Sequence, residues 1–177
     1  MPVHRLYVVN ADNKIQTSIN YADSDIWREM RMSYSVRENG TIYNQHDNIN
    51  TVRKMIAAFV NGDMDKYYSY FDENVRFRNI HTPIGEPGLT LEEEKESMAK
   101  MMEAYEFKAM DVRGYPDYLN YGLGDAKVVQ SWWKVRLVRK SDQKKILLPL
   151  MLINYFNYEG KITGESAYYS KELMMAK

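Results

Sequence analysis

The sequence carries few residues of a type that does chemistry, and they are scattered. Its three histidines are His4, His46 and His81. They form no His-x-His or His-Glu-x-x-His pattern, so no metal site is expected from them. Cysteine is absent. That excludes disulfides, thiolate nucleophiles and Cys-ligated zinc. No glycine-rich phosphate loop precedes a helix; Gly122-Leu123-Gly124 is read as a turn between strands. No cofactor is expected. His81 is a natural acid/base near neutral pH and the weak catalytic candidate, against the plainer reading of a loop histidine in an ordinary hydrogen bond. Asp72 and Glu73 are read as solvated at a helix end, and Glu92-Glu93-Glu94 as charge complementing a helix N-terminus. Arg76 and Arg78 share one strand face, either an acid-binding patch or a solvated surface. Trp132-Trp133 is the most distinctive pair: in a strand the two rings must point to opposite faces. Val129, Trp133, Val135 and Leu137 make the apolar set, which turns Trp133 inward and Trp132 outward.

Composition narrows the classes. Lysine plus arginine equals aspartate plus glutamate at 24 each, so no net field favours nucleic acid or an anionic membrane. No window approaches the ~18 consecutive apolar residues of a membrane span. The first ten residues lack a signal-peptide core, and the cytoplasm is the favoured location. Fifteen Tyr, five Phe, three Trp and twelve Met supply adaptable apolar surface, for an aromatic core or for a pocket holding an apolar or ring-shaped ligand. A chain of 177 residues suits one domain with a sizeable core plus an appendage.

The elements that must position these residues follow from periodicity. Residues 5–10 and 14–23 read as two strands around the turn pair Asp12-Asn13. Residues 24–47 are polar, with Asn39-Gly40 as a turn signal. Val52, Met55, Ile56, Phe59 and Val60 form one helical stripe, capped by Asn50 or Asp47. Asn61-Gly62-Asp63 ends that helix, and Asp63 caps a short second one through Phe71. Residues 75–79 alternate as a strand, and 81–88 form a loop. Thr90 with Glu93 is a capping box opening a helix to about Phe107. Strands follow over 108–118, 126–139, 145–158 and 161–170, with turns at Ser141-Asp142-Gln143 and Glu159-Gly160. Three helices, then an antiparallel meander, is an α+β order.

Three stretches carry a family resemblance: residues 56–65 (Ile-Ala-Ala-Phe-Val-Asn-Gly-Asp-Met-Asp), 71–77 (Phe-Asp-Glu-Asn-Val-Arg-Phe) and Glu159-Gly160-Lys161-Ile162. In order and spacing they resemble the first helix with its Gly-Asp turn, the step into the first strand and the turn into the last strand of the nuclear transport factor 2-like superfamily. That superfamily includes ketosteroid isomerase and SnoaL-like polyketide cyclases. The resemblance covers residues 48–177. It implies a cystatin-like α+β cone, with three N-terminal helices on a strongly curved antiparallel sheet; the N-terminal hairpin read over 5–23 is extra to it. Residues 1–47 are then hairpin and linker. The resemblance implies ligands in the cone and, often, a dimer through the outer sheet face. Ketosteroid-isomerase chemistry does not fit: the family tyrosine falls on Met55 and the family base on Asn79. Methionine donates no hydrogen bond and an amide takes up no proton at neutral pH.

The expectation is therefore a small-molecule-binding cone without that catalysis. Alternatives are a SnoaL-like cyclase, dehydratase or hydrolase on an apolar or ring-shaped substrate, and a dimerisation module. Phe77, Asn79, Tyr105, Trp133 and Tyr168 are expected to line the pocket, with His81 near its mouth. A homodimer is expected with Trp132 and Met151 at its interface, and the ligand is expected to be ring-bearing or carboxylate-bearing. Finally, the N-terminal hairpin echoes the C-terminal one. Asn10, Lys14, Ile15 and Tyr21 fall on Asn157, Lys161, Ile162 and Tyr168, and Ile26-Trp27 on Leu173-Met174. Residues 5–27 are either the tail of a preceding copy of the domain or an unrelated extension, and one of the hairpin's strands is expected to extend an existing sheet, of its own cone or of a neighbouring chain.

Overall fold

The computed structural model describes residues 4–21, 28–29, 31, 39–122 and 124–175. The end of the strand expected over 14–23, the pair Ile26-Trp27, and Leu123 in the expected turn lie outside them. Two compact units divide the chain, residues 1–39 and 40–177.

The first unit holds β1 (His4–Val9) and β2 (Ile15–Tyr21), an antiparallel hairpin. Neither strand joins the larger sheet of the same chain. The strand that does extend it is β3 (Gly40–Tyr43), from the segment read as polar linker. Gly40 is needed there for packing as well as for its φ of +131°: a Cβ would overlap the Asn120 carbonyl oxygen.

In the second unit, α1 (Asp47–Val60) buries the expected stripe, with Val52 and Met55 fully enclosed. Its cap is neither Asn50 nor Asp47. His46 has extended backbone, and its Nδ1 accepts from the Asn48 N–H at 3.1 Å while its ring stacks on Tyr118 at 3.7 Å. The imidazole thus serves one orphan donor of the helix and one hydrophobic contact at once. Asp63 caps α2 (Met64–Tyr68) through the Lys66 N–H. The chain then enters β4 (Phe71–Asn79), four residues earlier than alternation alone suggests. Thr90 and Glu93 close the capping box of α3 (Leu91–Ala104). That helix stops three residues short of the expected Phe107. Tyr105 turns extended because β5 (Tyr105–Val112) pairs with β7, setting Phe107 opposite Leu137. Pro116, with Gly114 at φ +68°, separates β5 from β6 (Asp117–Tyr121), where one strand was expected. The long strands β7 (Lys127–Arg139) and β8 (Lys144–Phe156), then β9 (Ile162–Tyr168) and a short α4 (Lys171–Met175), complete the unit.

The sheet runs β3-β6-β7-β8-β9-β4, with β5 on the same edge of β7 as β6. All pairs are antiparallel except one. β4 lies parallel to β9, so the sheet is mixed rather than wholly antiparallel. No hairpin ties β4 to its neighbour: α3 and four strands intervene, which leaves its direction free. Along β7, Val129, Ser131, Trp133, Val135 and Leu137 are buried and face the helices. With α1 they form the core. Helices packed on one sheet of this order make an α+β domain.

Candidate functional site

The inner face of the sheet and the helices line a half-open cavity of about 150 Å³. Its wall is chiefly apolar: Phe77, Leu137, Leu148 and Leu150 from the strands, Met98 and Met101 from α3. Two carboxylates interrupt it, Glu94 and Glu165.

Glu94 reaches the cavity because the acidic run at the start of α3 splits three ways. Glu92 pairs with Lys95 at 2.7 Å, on the surface. Glu93 accepts from the Thr90 N–H and hydroxyl, bonds that hold its carboxyl below the usual range. Glu94 lies one turn before Met98 and two before Met101, on the same face, and is carried inward. Glu165 reaches the cavity through a bulge. Ile162 is fully buried opposite Phe156; the register then slips by one residue, so Glu165 pairs with Asn154 and shares the inner face with it. On its other side Glu165 lies beside Phe77 of the parallel strand. Asn154 is wholly buried, and its amide Nδ2 donates to Glu165 Oε2 at 2.7 Å.

The electrostatics follow from this placement. Burial pushes Glu165 up from 4.5 to about 7, against the lowering effect of the Asn154 bond. Burial and then the charge of Glu165 push Glu94 up to about 7. Among the described residues neither carboxylate makes an ion pair, and the Glu94 carboxylate has no hydrogen-bond donor. Tyr67, 4% exposed, also lines the cavity, and burial together with both glutamates holds its phenol well above its ordinary value. Tyr169 is raised in the same direction by burial and Glu94. At neutral pH the site thus offers two carboxyls poised between their protonated and ionised forms beside neutral phenols, in an apolar chamber. Such a pair can take a proton at one oxygen and give one from another.

The residues singled out from sequence are dispersed around this centre. Phe77 and Asn79 line the cavity. Asn79 Oδ1 accepts from the His81 N–H at 2.9 Å, while the exposed His81 sits edge-on to Tyr169 and does not line the wall. Trp133 is buried, with its indole N–H on the Ser131 hydroxyl at 2.9 Å, and stops short of the cavity. Tyr105 is not on the wall itself; its hydroxyl donates to the carbonyl of Met174, which is. Tyr168 is turned outward by the same bulge that turns Glu165 inward, and borders a shallow depression with Asn79 and the 80–86 loop. Trp132 and Met151 are direct cross-strand partners on the outer face, partly exposed beside Leu147 and Tyr155. Met55 is enclosed in the core. No group of three or more metal-ligating side chains occurs among the described residues, and no helix among them is long and apolar enough to cross a membrane.

No family model matches the chain, and no curated protein sequence matches it. Solved structures do resemble it in fold. A provisionally assigned polyketide cyclase from Xanthomonas campestris pv. campestris is 17% identical with a TM-score of 0.58, over 76% of this chain and 98% of that one. An NTF2-like protein of unknown function from Burkholderia pseudomallei is 17% identical with a TM-score of 0.54, over 74% and 96%. An LEH-like epoxide hydrolase from M. tuberculosis is 14% identical with a TM-score of 0.51, over 72% and 86%.

Proposed function

We propose that this chain, which has the nuclear transport factor 2-like fold, is an enzyme that moves protons on a small, largely apolar substrate held between Glu94 and Glu165. The observation that carries this reading is the pair of carboxyls, each pushed up to about 7, facing a largely apolar cavity whose other polar lining groups include Arg78, Asn79, Ser97, Tyr67 and Tyr169. A sequence reading without an acid–base pair favours a passive binding cone. The glutamates supply the missing pair and move the balance toward the alternative of a SnoaL-like enzyme.

The division of labour follows from the partners. Glu165 is fixed by Asn154, which favours its ionised form relative to Glu94. In the singly protonated pair Glu165 is therefore the base and Glu94 the acid. Tyr67 stays protonated and donates a hydrogen bond to an oxygen that gains charge. A cavity of about 150 Å³ admits a small molecule rather than a polycyclic one. Among the described residues, two carboxyls against the single cation Arg78 on the wall leave an anion at a disadvantage when the glutamates are ionised, so of the two expected ligand types the ring-bearing, uncharged one fits better. Crystals soaked at pH 7 with a library of small neutral fragments should show carbonyl- or hydroxyl-bearing rings with an oxygen in hydrogen-bond reach of Glu94 or Glu165. A cavity that takes only hydrocarbon fragments, with both glutamates untouched, would return the reading to a passive binder.

A further inference from the structure

The turn between β1 and β2 repeats, bond for bond, the turn between β8 and β9. In the latter, Asn157 N–H donates to the Lys161 carbonyl at 3.0 Å, its Oδ1 accepts from the N–H of Glu159 at 3.0 Å and of Lys161 at 2.9 Å, and Gly160 N–H returns to the Asn157 carbonyl at 3.2 Å. In the former, Asn10 N–H donates to the Lys14 carbonyl at 2.9 Å, its Oδ1 accepts from Asp12 at 3.0 Å and Lys14 at 2.9 Å, and Asn13 N–H returns to the Asn10 carbonyl at 3.0 Å. Asn13 and Gly160 hold the same left-handed position, at φ +58° and +76°. The pairing repeats as well. His4↔Tyr21 falls on Met151↔Tyr168 and Val9↔Ile15 on Phe156↔Ile162, and every pair between them follows at the same offset of 147 residues. Both ladders bulge at the same pair, between Val8 and Val9 and between Tyr155 and Phe156. A common turn type explains the turn alone. It does not explain a second irregularity at the same place, one pair beyond the turn, from which the register of the remaining pairs follows.

What differs is the cover. Phe156 is 7% exposed and Ile162 is enclosed, whereas their counterparts Val9 and Ile15 are 55% and 62% exposed. We infer that β1–β2 is the closing hairpin of a second cone, and that the surface it fits is the helix face and the β7-like strand edge of a cone lying ahead of it in the same polypeptide. An isolated two-stranded hairpin is marginal in water, so these apolar positions call for the cover that β8–β9 receives. The second cone is chemically distinct from this one. The counterpart of Glu165 is Ser18 and that of Asn154 is Tyr7, so the base and its anchor are absent from that strand pair.

The test uses the natural polypeptide, captured from its source with an antibody to this chain, alongside the 177-residue chain of 20.9 kDa. The captured polypeptide should be heavier by one domain of roughly 100–150 residues. Ile15→Ser should lower its melting temperature by about 5 °C or more, and should shift that of the 177-residue chain by about 1 °C or less, whereas Ile162→Ser should destabilise both. A natural polypeptide of 20.9 kDa overturns the inference. So does a longer one indifferent to Ile15→Ser, or a 177-residue chain that Ile15→Ser destabilises as much as Ile162→Ser, since its hairpin is then already covered.

Discussion

Glu165→Gln should make the protein more stable above pH 7, and equally stable at pH 4. The carboxyl sits at about 7 in the folded chain against an ordinary 4.5. A raised acid binds its proton more tightly in the folded state than in the unfolded one. Below pH 4.5 both states are protonated and burial carries no charge penalty. As pH rises from 4.5 through 7 the folded state must give up a proton it holds, and stability falls; above 7 the whole penalty is present. One pH unit of displacement corresponds to about 1.4 kcal/mol, so the penalty at pH 8 is up to about 3 kcal/mol. Glutamine keeps the oxygen that accepts from Asn154 and escapes the penalty. Thermal melts from pH 4 to 9 should show the wild type losing stability across this window and the variant losing much less, with the curves diverging by roughly 5–10 °C at pH 8. A variant destabilised by the same amount at every pH would show that the carboxyl is not held neutral by burial.

The second large effect is expected at Trp133. Its ring is 4% exposed within the core and its N–H satisfies the fully buried Ser131 hydroxyl. Trp133→Ala removes the packing, opens a cavity and orphans that hydroxyl, at a cost of about 3–5 kcal/mol. The melting temperature should drop by roughly 10 °C or more. Trp133→Phe should recover most of the packing term and leave the Ser131 term. Because the ring stops short of the cavity, the shift in apparent pKa of the two glutamates should survive Trp133→Phe. Loss of that shift would mean that the indole belongs to the site.

Much of the architecture is legible in the sequence because local chemistry fixes it. The Thr90–Glu93 box, the Asp63 cap and the turn at Glu159-Gly160 each need only a few neighbouring residues, and each forms where the sequence places it. The errors fall where a distant partner decides. Residues 105–107 continue a helical stripe, yet pairing with β7 makes them strand. β4 has no hairpin to orient it and lies parallel to β9. The two glutamates are not legible in the sequence, for two separate reasons. Glu94 was read with its acidic neighbours, although the stripe through Met98 and Met101, extended back one turn, lands on it. Glu165 could not be found by alternation: counting from the buried Ile162 puts Ser166 and Tyr168 inward, and the bulge reverses the count. The same slip accounts for Tyr168, expected in the pocket and found outside it.

The proposal that the glutamates are an acid–base pair rests on their proton affinities, which can be read directly. The side-chain carboxyl carbons of Glu94 and Glu165 should be followed by carbon-13 NMR from pH 3 to 9, assigned with Glu94→Gln and Glu165→Gln. The pair should titrate in coupled steps with apparent values near 7, and Glu94 should move down once Glu165 is neutral while staying above 4.5, because burial is the larger cause and remains. Two independent titrations at the ordinary glutamate value of 4.5 would contradict the account and leave the cavity without its chemistry.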